Sequence, residues 1–181
     1  MVRKTHVLGF GTLILALGLG AAACGSSTTP TTTNNSNTSK AIFTVQMSPA
    51  NEVPAITNAE STGSGTMTIT FNVTKDAAGN VTAATADFTG TFTGFPAGTA
   101  LTAAHIHPGL AGTNGGVLVS TGLTQGEVTF PTGSGTLNKT GITLTTDQAT
   151  SIMNTAGAFY FNIHTALNPG GVARGQLVRT Q

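Results

Sequence analysis

The chain has 181 residues, 39% of them hydrophobic, which suits one domain of ordinary size with a real core and some appendages. Charge is sparse, with 7% Asp, Glu, Lys and Arg and a formal net charge of +1. Without residues 1–23, five basic side chains face six acidic ones, and a chain this neutral has no basic field for nucleic acid or acidic lipid.

The first segment, MVRKTHVLGFGTLILALGLGAAAC, has a basic start, an apolar run from Val7 to Leu19 and small residues before Cys24. That is the layout of a secretory signal peptide over residues 1–23, and its apolar run falls short of the roughly 20 residues a membrane span needs. Cys24 is the only cysteine, so no disulfide forms within the chain. A leftover thiol directly after Ala21-Ala22-Ala23 points to lipidation of Cys24 and a membrane anchor facing the periplasm or the cell surface. The boundary is similar to a bacterial lipobox but departs from it at Ala21, where a branched residue is usual; plain secretion is the alternative. Residues 24–40 carry the anchor cysteine and a Thr/Ser/Asn tract without apolar periodicity, which reads as a flexible tether.

From Ala41 to the end the pattern is that of a single β domain, 41–181. Segments 42–47, 66–73 and 85–92 alternate threonine or other polar residues with apolar ones, the mark of half-buried antiparallel strands. Turn chemistry at 75-KDAAGN-80 and 95-FPAG-98 separates them. Further strands are expected at 101–107, 116–121, 127–130, 134–138, 158–164 and 172–179. The run 145–157 opens on an N-cap threonine, has an acid in its first turn and stops at glycine, so it reads as one short connecting helix. The fold expected is all-β, an antiparallel β-sandwich or closed Greek-key barrel. Two stretches echo each other, 104-AHIH-107 with 114-NGGV-117 and 162-NIH-164 with 168-NPGGV-172, and read as two similar hairpins.

Strand parity places the unusual side chains together. His105 and His107 share one face, opposite Ala104 and Ile106; Tyr160, Asn162 and His164 oppose Phe159, Phe161 and Ile163; Arg174 and Gln176 oppose Ala173, Gly175 and Leu177. Neighbouring strands would gather all seven on one face. Three readings compete. Imidazoles suit copper or zinc, and two on one strand face plus His164 can ligate one ion, although Arg174 on that face opposes a cation. Catalysis needs a nucleophile or an oriented acid/base pair, and no such motif is present. The third reading is a hydrogen-bonded polar network that pins strand register.

The combination 51-NEVPAI-56, 103-AAHIHPG-109, 114-NGGVLV-119 and 160-YFNIHTALNPGGVARGQL-177 resembles the CHRD domain, first described in chordin and also found in microbial exported proteins. The resemblance spans roughly 41–179. His105 and His107 match its Ala-His-Ile-His element, Tyr160, Asn162, His164 and Thr165 its Tyr-x-Asn-x-His-Thr, and Arg174 to Gln176 its Arg-Gly-Gln. Ala55 and Val172 depart from positions where the family commonly has proline and an acid. The resemblance implies an all-β extracellular module and adds Glu52 as a partner for Arg174 or a histidine. The expected function is non-enzymatic binding or structural work at the cell envelope by a monomer, without a cofactor, toward a protein or envelope ligand that the sequence does not name. The alternative is a copper or zinc protein using His105, His107 and His164.

Overall fold

Alternation of threonine with apolar residues becomes strand wherever one face has a core to cover. The computed structural model describes residues 37–181; the expected signal peptide, Cys24 and the linker up to residue 36 lie outside the described residues. The strands are β1 (Asn37–Met47), β2 (Ser64–Lys75), β3 (Val81–Thr93), β4 (Thr99–Pro108), β5 (Val119–Ser120), β6 (Thr129–Phe130), β7 (Gly135–Leu144), β8 (Phe159–Thr165), β9 (Ala173–Gln176) and β10 (Val178–Arg179). The helix α1 covers Thr146–Asn154.

One sheet has the order β10-β1-β2-β3-β7 and the other β5-β4-β8-β9, with β6 beside the start of β4. All pairings are antiparallel. The inner faces meet in a core that includes Phe43, Ile69, Phe71, Phe88, Ile106, Phe161 and Ile163, all fully buried. Phe88 of the first sheet stacks on Phe161 of the second with centroids 5.7 Å apart, an offset aromatic contact across the sandwich.

The sandwich is the expected fold, whereas the closed barrel is not formed. The second sheet ends at β5, only two residues long, and β7 stays an edge of the first. Three expected strands are corrected. The runs 116–121 and 127–130 shrink to two residues each, because glycine-rich loop takes up the rest. The run 172–179 divides: β9 pairs with β8, and β10 crosses to pair with β1, with Leu177 buried at the crossing. β1 also begins earlier than expected, since residues 37–40 extend it as exposed strand against 72–75 of β2.

The helix starts where expected, with a capping box between Thr145 and Gln148, and buries Ala149 and Ile152. It ends at Thr155 rather than Gly157. The Thr155 hydroxyl and amide both turn back to the Ser151 carbonyl, and a 3-10 turn, Ala156–Ala158, leads into β8.

The register of the second sheet sets the site. His107, Tyr160 and Gln176 form one cross-strand row; His105, Asn162 and Arg174 form the next; Ala103 pairs with His164. These rows lie on the sheet's outer face, away from the hydrophobic core.

Candidate functional site

The face that parity assembles is not open to solvent. Loops 48–63 and 108–118 fold over it, so that Arg174 and Asn162 are 2% exposed, Tyr160 3%, His107 5%, Glu52 7% and His164 8%. His105 and Gln176 are half-buried. A second, polar interior therefore backs the sandwich, and it divides into two halves.

One half is built around Arg174. Its Nε donates to the Asn51 carbonyl at 2.6 Å, and its Nη1 donates to the Thr113 carbonyl at 3.1 Å and to Asn114 Oδ1 at 2.9 Å. One guanidinium thus ties both covering loops to the sheet. It lies over the Tyr160 ring, 4.6 Å from the centroid, a cation–π contact. Glu52 Oε2 lies 3.8 Å from Arg174 Nε, and the geometry is offset rather than bidentate, since Glu52 Oε1 and Arg174 Nη2 are both buried without partners. Gln176 donates to the carbonyls of Gly109, Gly157 and Phe159. Glu52 thus partners Arg174 and not a histidine.

Burial pushes the Glu52 carboxyl up from 4.5 to about 7, with the Arg174 charge pulling the other way. Between those two values the folded chain holds a proton that the unfolded chain has released, so stability contributed by Glu52 falls as pH rises through this window. Glu52→Gln removes that loss. Relative to the parent, the variant should gain about 2 kcal/mol on going from pH 5 to pH 7. Urea midpoints at the two pH values measure it, and an equal difference between variant and parent at both would refute the assignment.

The other half is the histidine cluster. His164 Nδ1 is 2.9 Å from the Pro169 carbonyl and His107 Nδ1 is 3.0 Å from the Gly115 carbonyl. A carbonyl only accepts, so both rings carry a proton on Nδ1, and in the neutral ring the lone pair is then on Nε2. His107 Nε2 is buried with no partner, and His164 Nε2 lies 3.2 Å from His105 Nδ1. One nitrogen from each of the three rings lies within 4.8 Å of the others. Two ligands about 2.1 Å from one tetrahedral ion stand roughly 3.4 Å apart, so the 3.2 Å pair is at ligand spacing, and the third ring has a nitrogen within 4.8 Å of both. Asn162 Oδ1 is placed 3.0 Å from His164 Nε2. Since that nitrogen has only a lone pair to offer, the amide orientation that fits has the NH2 group donating to it.

Two of the rings are held toward the neutral form that ligates a metal. Burial, followed by the proximity of His164 and His107, holds His105 down from 6.5 to about 4. His164 is also lowered, mainly by burial, against the opposing hydrogen bond to Pro169. Arg174 does not oppose an ion at contact range. Tyr160 stands between, stacked on His107 with centroids 4.9 Å apart and planes at 6°, and the guanidinium sits over Tyr160 while bound to both loops.

A polar clasp that the sequence reading missed supports this half. Glu60, 5% exposed, accepts from the Thr165 hydroxyl at 2.7 Å and from Asn168 Nδ2 at 2.5 Å, and Asn58 Nδ2 donates to Asn168 Oδ1. It pins the turn that carries Pro169, the residue that orients His164.

Fold and site together define an all-β sandwich module whose chemistry lies on one loop-covered sheet face. The CHRD domain model matches residues 43–177, which include every residue of both halves, and the chain belongs to the CHRD family. Nothing matches it among curated proteins or among solved structures.

Proposed function

We propose that this is an exported CHRD module working without catalysis at the cell envelope, lipid-anchored through Cys24, and that it binds one copper or zinc ion at His105, His107 and His164. The observation that carries the metal reading is that three imidazoles each place a nitrogen within 4.8 Å of the others, with His107 Nε2 among the buried atoms that have no partner. Two of these rings are oriented by backbone carbonyls on their far nitrogens, the outer-shell arrangement that fixes histidines for metal. A network that pins register accounts for the two rings' bonds to backbone carbonyls but not for the meeting of three imidazole nitrogens. The Arg174 half of the face fits that structural role, tying loops 48–63 and 108–118 to the sheet.

The test is metal analysis after dialysis against copper or zinc. The parent should retain one equivalent, and His105→Ala should lose it. His105 is the ligand to replace because it is half-buried and holds no loop carbonyl, so the fold survives. No retained metal in the parent would retire the metal reading and leave the envelope module.

A further inference from the structure

The metal reading leaves the ion short of both a ligand and negative charge. Among the described residues the cluster contains three histidines and no carboxylate or thiolate. Of the two buried acids nearby, Glu52 lies against Arg174 and Glu60 is held by Thr165 and Asn168, and neither joins the cluster. A divalent ion at the histidines would therefore keep its full charge in a mostly buried place, which is costly unless an anion joins it. Three protein ligands also leave one tetrahedral position to fill.

The Asn162 amide shows what can fill it. Its Oδ1 is placed 3.0 Å from the His164 Nε2 lone pair, and with the amide turned as that lone pair requires, its NH2 group donates there. An ion that takes this lone pair sets the amide N–H free directly beside the coordination sphere. Asn162 is 2% exposed, so water does not readily replace the lost acceptor. A positive ion with an empty position and a freed N–H donor next to it form a site for an acceptor that is negatively charged. Access is from the side of His105, the half-buried ring.

Resting on that metal reading, we infer that the bound ion takes a small monodentate anion from solvent as its fourth ligand, hydrogen-bonded by the Asn162 amide. Hydroxide is the simplest such ligand, and azide is a suitable probe. Binding is an exchange: the metal–water bond breaks, a metal–nitrogen bond to azide forms, and water leaves.

The full chain, loaded with Cu(II), is titrated with azide while absorbance is followed. The expected result is a saturable new charge-transfer band with one azide per copper. Asn162→Asp places a carboxylate beside the ion, and should weaken azide at least tenfold while copper stoichiometry stays at one. Copper bound with a spectrum indifferent to azide would overturn the inference and leave the metal reading standing. Failure to bind copper at all would overturn both. Equal azide affinity in the parent and Asn162→Asp would remove Asn162 from the site.

Discussion

Arg174→Ala should destabilise the domain by about 3–5 kcal/mol, the usual cost of removing one member of a buried ion pair. The side chain is 2% exposed and makes three hydrogen bonds, to Asn51, Thr113 and Asn114, in addition to its contact with Tyr160. Its loss frees both covering loops and leaves Glu52 buried with no cation beside it. The two consequences separate in a double-mutant cycle. If the stranded acid dominates, Glu52→Gln added to Arg174→Ala recovers a substantial part of the loss; if loop anchoring dominates, it recovers little. Arg174→Lys keeps the charge without the planar fork that reaches both loops, and should fall between parent and alanine variant. Urea denaturation of the four proteins measures the cycle. An Arg174→Ala variant within 1 kcal/mol of the parent would show that the guanidinium does not hold this face together.

The sandwich and the composition of its polar face were legible because both depend on period two. Once His105, Asn162 and Arg174 alternate with core residues on strands that pair, they must share a face, and the register confirms the row. Burial of that face was not legible, since loops 48–63 and 108–118 carry no periodic signal and their path depends on contacts such as Arg174 to Thr113, 61 residues apart. The clasp of Glu60 with Thr165 and Asn168 was missed for the same reason, its partners being 105 and 108 residues apart in sequence. The division of 172–179 was hidden because Gln176, Leu177 and Val178 continue an acceptable strand pattern, and the crossing to β1 is decided by a vacancy at the edge of the first sheet. Parity also left Arg174 facing either toward the histidines or away from them. Tyr160, stacked between the two, decides for away.

Gly115→Ala should weaken metal binding about 10- to 100-fold, although Gly115 is not a ligand and its backbone conformation is open to any residue. The reason is space. A Cβ on Gly115 would overlap the Pro108 carbonyl oxygen and stand 2.9 Å from the carbonyl carbon, and neither backbone atom can yield without moving the end of β4. The loop must lift instead, and Gly115 makes two contacts that then fail together. Its carbonyl is the acceptor for His107 Nδ1 at 3.0 Å, and its amide donates to the Tyr160 hydroxyl at 3.2 Å. The first contact selects the tautomer that leaves the lone pair of His107 on Nε2; the second holds the ring against which His107 stacks. Losing both releases a ligand from its orientation and costs about 1–3 kcal/mol of stability as well. Gly116→Ala is the control, because an added Cβ there meets nothing within 4 Å. Copper or zinc titration of the two variants separates the cases. Equal affinities would mean that the loop does not orient His107, and that the convergence of the three rings is maintained by the strands alone.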